Sequence, residues 1–144
     1  MLQIETLLVS QPDEIDSFNN YYMPISNQGM EVILTELFSN AKKFHPTETP
    51  VIEIDITAKP DSICLQIRDN GIQLSPKQLS NIWTPYYQGD KYCTGEVKGM
   101  GLGLSMVGTL IYEVGGTCQA YNRTDGKGLV VELTLPLKEW EFDC

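Results

Sequence analysis

The spacing of hydrophobic and polar positions changes period several times along the chain, and each change predicts an element. The apolar stretch from Ile4 to Val9 predicts an edge strand, and the QPDEIDSFNNYYMPISNQ that follows is rich in turn residues. From Gly29 to Phe44 the apolar residues Met30, Ile33, Leu34, Leu37, Phe38, Ala41 and Phe44 recur at helical spacing, and His45-Pro46 ends the run. Residues 51–57, VIEIDIT, alternate strictly, which turns Ile52, Ile54 and Ile56 to one side. Ala58 to Ser62, containing Pro60-Asp61, predicts a hairpin connection into ICLQIRD at 63–69. Ser75-Pro76 supplies an N-cap and a first-turn residue for a short helix reaching about Ile82. Trp83 to Met100 is long, polar and without period, the pattern of a functional loop. Leu104, Val107, Leu110, Ile111 and Val114 mark a second helix stopped by Gly115-Gly116. TCQAYN, a turn at RTDGKG, and LVVELTLPL form a last hairpin closed by Pro136. Helices and strands with one apolar face each predict an α/β (α+β) two-layer sandwich, a mixed and mostly antiparallel sheet packed against helices.

Composition narrows the chemistry. With 144 residues, 42% of them hydrophobic, the chain has material for one core and no need of staples. Ten Lys and Arg against nineteen Asp and Glu leave a net charge of −9, which removes the broad basic surface that nucleic acid requires. A local anion pocket built from a few lysines and backbone N–H groups is still compatible with that charge. Cys64, Cys93, Cys118 and Cys144 form no C-x-x-C pair and there is one histidine, so a zinc site is not expected. Cys64 and Cys118 lie in strand-like stretches as small apolar residues, which fits a reducing compartment. No apolar run approaches the roughly 18 residues of a membrane span, and Met1 opens no signal segment, so a cytoplasmic domain without membrane contact is expected. His45 would have to serve any Ser-His-Asp hydrolase, yet no G-x-S-x-G elbow is present, and it reads as a helix-end residue.

Three constellations carry chemistry. At about 100° per residue, Glu36, Asn40 and Lys43 fall on one flank of the first helix, beside the apolar stripe. A carboxylate, a carboxamide and an ammonium there suit a nucleophile, a hard cation and a phosphate oxygen; the plain alternative is a solvated flank with a Glu-to-Lys pair. Asp69 continues the inward row of Ile63, Leu65 and Ile67 and is followed by the turn Asn70-Gly71. A buried carboxylate needs a donor, whether an exocyclic amine of a ligand or the N–H groups of a D-N-G turn. GMGLGL at 99–104 places glycines at a helix N-terminus, where exposed N–H groups favour phosphate. It matches neither the dinucleotide fingerprint nor a P-loop.

In this order the features resemble the GHKL, or Bergerat-fold, ATP-binding domain, in its sensor histidine kinase branch. ELFSNAKKF at 36–44 resembles the N box, DNGIQL at 69–74 the first glycine box, IWTPYYQ at 82–88 the F box and GMGLGL the second glycine box. The closing GGTCQAYNRTDGKGLVVELTLPL is similar to the end of kinase catalytic domains, down to Leu135-Pro136. The resemblance implies a domain over residues 29–138, with 1–28 an N-terminal strand and loop segment of the same unit and 139–144 a tail. It implies that Asn40 holds Mg²⁺ on the ATP phosphates, that Lys43 touches phosphate, and that Asp69 accepts the adenine amino hydrogens. Gly71 would let adenine approach the backbone, and Gly99, Gly101, Leu102, Gly103 and Leu104 would bind phosphate. Tyr87 and Lys98, or Lys91 in place of the latter, would reach the nucleotide from an ATP lid at about 84–100. Glu36 stands where related ATPases keep a catalytic base and would activate or orient the acceptor.

The implied partners are a dimerisation domain bearing the phosphoacceptor histidine and a response regulator. Three departures accompany the resemblance. Gln73 replaces a glycine, which points a side chain toward the adenine; Trp83 and Tyr86 replace phenylalanines; and no phosphoacceptor histidine or pair of dimerisation helices precedes residue 29. Two other readings compete: a stand-alone kinase of the anti-sigma type acting on serine, and a degenerate nucleotide- or partner-binding module. The Leu-Pro ending and complete F box favour the sensor kinase over the first; intact Glu36, Asn40 and the glycine turn oppose the second.

Overall fold

The structure, a computed structural model, describes residues 6–10, 21–47, 49–84 and 102–139, with the side chains of 6–10, 102 and 103 left aside. Strand β1 is Thr6–Ser10, β2 Tyr21–Tyr22, helix α1 Asn27–Lys43, β3 Val51–Lys59, β4 Ser62–Arg68, α2 Pro76–Asn81 and α3 Leu102–Glu113. Strands β5 Thr117–Asn122, β6 Leu129–Pro136 and β7 Lys138–Glu139 complete the order. A five-stranded sheet runs β1-β3-β4-β6-β5, and β2 pairs with β7 in a separate two-stranded ladder. The β1–β3 pair is parallel and the other pairs are antiparallel, so the sheet is mixed and mostly antiparallel, as expected.

One face of that sheet carries the core. Ile52, Ile54, Leu65, Ile67, Leu129, Val131, Leu133 and Leu135 are buried against Ile33, Leu37 and Ala41 of α1 and Leu104, Val107 and Ile111 of α3. Burying each such side chain contributes about 1.5–3 kcal/mol, and the strict alternation of β3, β4 and β6 puts the whole set on one side. The helix period in α1 likewise concentrates its buried residues in one stripe, with Met30, Phe38 and Phe44 packed along its margins.

Boundaries differ from the sequence expectation where side-chain capping or short pairing decides them. Helix α1 starts at Asn27 and not at Gly29, because the Ser26 hydroxyl accepts from the Gly29 N–H at 3.0 Å. Strand β1 lies at the sheet edge as expected, and its described residues, 6–10, pair with Val51–Asp55 and run one position beyond the expected end at Val9. The β3–β4 connection tightens to Pro60-Asp61, with Lys59 paired to Ser62. Pairing of Tyr21 with Glu139 and of Tyr22 with Lys138 has no counterpart in the sequence expectation. Helix α2 has the expected start: Ser75 and Gln78 form a reciprocal capping box. Gly115 takes φ +82 after α3, and Gly116 N–H bonds the Ile111 carbonyl at 2.9 Å.

Candidate functional site

The site forms where the last turn of α1 meets the loop leaving β4. The Phe44 carbonyl accepts the Ile72 N–H at 3.1 Å, which docks the Asp69–Ile72 loop on the helix end. A Cβ on Gly71 would lie 2.9 Å from that carbonyl, so glycine is demanded here by the helix itself, whatever ligand approaches. Asn70 secures the other side by accepting the Val51 N–H through Oδ1 at 2.9 Å.

Asp69 is 7% exposed and faces inward, as its parity on β4 predicts. Its Oδ1 accepts two backbone N–H groups, Gly71 at 2.9 Å and Leu129 at 3.1 Å. Among the described residues no donor engages Oδ2. Burial pushes the carboxyl pKa up, against the two N–H bonds and the charges of Arg123 and His45, which pull it down. One oxygen is therefore structural, and the other is an acceptor that no described residue engages.

Glu36, Asn40 and Lys43 share the half-buried flank of α1. Burial lowers the Lys43 pKa to about 8, with Glu36 opposing the shift. Its Nζ stands 5.3 Å from the centroid of the Phe44 ring, a contact that holds the ammonium without neutralising it. The arrangement is a partly desolvated cation beside a carboxamide, ready for a phosphate-like anion. Leu104 is 2% exposed, so only its backbone N–H, in the first turn of α3, is available to a ligand. Leu102 and Gly103 join the same turn through their backbone. Tyr87, Lys91, Lys98, Gly99 and Gly101 lie outside the described residues, as does the expected lid at 84–100 apart from Thr84. His45 ends the α1 region as expected, its Nδ1 facing the N–H groups of Thr47 at 3.2 Å and Thr49 at 3.3 Å.

The Gln73 Nε2 donates to the carbonyls of Arg123 at 3.2 Å and Gly126 at 3.1 Å, which holds the side chain on the β5–β6 hairpin. That hairpin supplies the residues sequence reasoning missed. Arg123 Nη1 donates to the Asp69 carbonyl at 3.0 Å, and Asn122 grips both backbone groups of Leu74 at 2.8 Å. Gly128, at φ +129, lies so close to Asp69 that a Cβ would stand 2.0 Å from its carbonyl oxygen. Gly128, the second glycine of RTDGKG, is the one available signal, and by itself it indicates only a turn. A separate open cleft of about 470 Å³ on α3, lined by Trp83, Gly108 and Tyr112 among others, contains none of these groups.

Comparison with known proteins gives a consistent answer. The family described as histidine kinase-, DNA gyrase B-, and HSP90-like ATPase matches residues 26–139. The chain is 29% identical to the sensor histidine kinase WalK of Bacillus subtilis over 123 residues, covering 85% of this chain and 20% of that protein. It is 34% identical to the sensor protein KdpD of Escherichia coli over 106 residues, 74% of this chain and 11% of that protein. The chain thus spans about a fifth or less of these curated relatives. Among solved structures, a mycobacterial sensor histidine kinase, MprB, superposes with TM-score 0.70 at 16% identity, covering 96% of this chain and 85% of that one. The catalytic domain of histidine kinase ThkA gives TM-score 0.70 at 19% identity, with 92% and 78% covered.

Proposed function

Since the chain belongs to the family of histidine kinase-, DNA gyrase B-, and HSP90-like ATPases, we propose that it is the ATP-binding catalytic domain of a sensor histidine kinase. In this reading it moves the γ-phosphoryl group of ATP to a histidine on a dimerisation domain, and a response regulator receives the group afterwards. The domain is taken as residues 29–138 with flanking segments 1–28 and 139–144, working in the cytoplasm. Asp69 is the observation that carries the reading: a buried carboxylate with Oδ1 held by two N–H groups offers Oδ2 to an exocyclic amine such as that of adenine.

The remaining groups fit the phosphate end. Mg²⁺ keeps several waters and takes only one or two protein oxygens, so the Asn40 carboxamide suits it. Among the described residues no cluster of three or more His, Cys, Asp or Glu offers a competing metal cage. When bound, Mg²⁺ supplies charge neutralisation on the phosphates. Lys43 pairs with a phosphate oxygen, and the first-turn N–H groups of α3 at Leu102, Gly103 and Leu104 add donors. Gly99, Gly101, Tyr87 and Lys98 are assigned to the nucleotide by the family resemblance alone. In the transfer a bond forms from an imidazole nitrogen of the acceptor to phosphorus as the bond to the departing ADP oxygen breaks. Glu36 takes the proton from the other imidazole nitrogen. His45, the chain's one histidine, caps the turn to Thr49, so the acceptor belongs to the dimerisation domain.

Calorimetry with ATP tests the reading. Binding is expected in the presence of Mg²⁺ and is largely lost in Asn40→Ala; no heat at millimolar ATP with the unaltered chain overturns it. With γ-labelled ATP, the chain labels a separate histidine-bearing dimerisation domain and takes up no acid-labile, base-stable phosphate itself.

A further inference from the structure

The Asp69 carboxylate, held within its own loop by the Gly71 N–H, is also held from outside that loop. The Asp69 N–H donates to the Leu129 carbonyl at 3.0 Å, Leu129 N–H returns to Oδ1 at 3.1 Å, and Arg123 Nη1 donates to the Asp69 carbonyl at 3.0 Å. Both main-chain polar groups and one carboxylate oxygen of Asp69 are thus held by the β5–β6 hairpin. The Arg123 side chain is 11% exposed and fixed on three sides, by Asp69, by Glu53 at 3.4 Å and by Asp125 at 2.9 Å. Glu53 in turn holds Arg68 at 3.3 Å, so the guanidinium is anchored to the sheet through an alternating row of charges. Gln73 also ties the hairpin to the Asp69 loop, through the carbonyls of Arg123 and Gly126.

We infer that Arg123, backed by Gln73, is a positioning residue that fixes the direction of Asp69 Oδ2 and thereby sets the preference for a purine with a 6-amino group. The inference rests on the nucleotide reading above. Oδ2 accepts and never donates when ionised, so it rewards an amino hydrogen and gains nothing from a purine lacking one. A hydrogen bond weakens steeply when its angle fails, so loosening the Asp69 carbonyl degrades that selective contact before any other. Lys43 on α1 and the first-turn N–H groups of α3, assigned to phosphate above, stand on other elements, so their contribution to affinity is expected to stay unchanged.

The experiment compares dissociation constants for ATP and for purine riboside triphosphate, which lacks the amino group, in folded protein. The unaltered chain prefers ATP. Arg123→Gln lowers that preference about tenfold while changing the constant for the analogue by less than about twofold, Arg123→Lys restores part of it, and Gln73→Ala lowers it about threefold. An effect on overall stability alone weakens both ligands together and leaves the preference unchanged, which overturns the inference. Should Arg123→Gln not fold, Gln73→Ala and Glu53→Gln carry the same comparison, and an unchanged preference in both is equally decisive against it. If the unaltered chain binds both ligands equally, the assignment of Asp69 falls and this inference with it. If it binds neither, the proposed function itself falls.

Discussion

Replacing Asp69 by asparagine separates ligand binding from folding. The Gly71 and Leu129 N–H groups demand an acceptor at the position of Oδ1, so the carbonyl oxygen of the substituted side chain takes that place and its NH₂ replaces Oδ2. A donor then faces the donor of the adenine amine. The charge-assisted bond that is lost is worth about 1.5–3 kcal/mol, and a buried donor without a partner costs a further 1–3, roughly. A total near 3–5 kcal/mol corresponds to a fall in ATP affinity of about 10²- to 10³-fold or more. Stability is expected to hold or rise at neutral pH, because the variant keeps both hydrogen bonds and no longer buries a charge. Burial raises the Asp69 pKa, so the folded chain retains a proton where the unfolded chain has lost it. The Asp69 contribution therefore falls as pH rises from the ordinary carboxylate range through the raised value, and Asp69→Asn removes that slope. Calorimetry measures the first effect, and thermal melts across that pH range measure the second. ATP affinity within about threefold of the unaltered protein refutes the assigned role of Oδ2, and a markedly lower melting temperature refutes the account of charge burial.

Two further outcomes follow from the same junction. Lys43 has a pKa of about 8, below its ordinary range, so its buried charge weakens the fold below that pH and the cost is relieved as pH rises beyond it. Binding of ATP at pH 8 restores the charge and takes up about half a proton, seen as a dependence of the calorimetric heat on buffer ionisation; Lys43→Met abolishes that dependence, and its persistence would falsify the pairing. Gly128→Ala forces a Cβ to within 2.0 Å of the Asp69 carbonyl at φ +129. A loss of about 3 kcal/mol, or about 10 °C in melting temperature, is expected, and a change under about 2 °C contradicts the close packing of the hairpin.

Periodicity was legible wherever an element was long enough to repeat. The alternation of ICLQIRD was enough to turn Asp69 inward, and the spacing of Ile33, Leu37 and Ala41 enough to put Glu36, Asn40 and Lys43 on the flank of the core. Ser75 with Gln78 was legible because capping is local in sequence. The β2–β7 ladder was not, since two residues have no period and their partners stand more than a hundred positions away. Nor was the service of Arg123, Gly128 and Gln73 to Asp69, which is decided by strand pairing between residues about sixty apart. The Gln73 departure illustrates the point: local comparison points its side chain toward a ligand, while the two carbonyls its amide binds belong to the β5–β6 hairpin.

The same long-range bracket has a consequence for assembly. The β3–β4 hairpin turns through two residues and closes cheaply, whereas the contacts of Asp69 with Leu129 and Arg123 require β6 and β5 to have docked first. Until those strands pair, Asp69 lacks its bracket. If Asp69 binds the nucleotide as proposed, recovery of ATP binding during refolding is expected to trail recovery of helix and hairpin signals, and the nucleotide then gauges whether the last strands have joined the sheet.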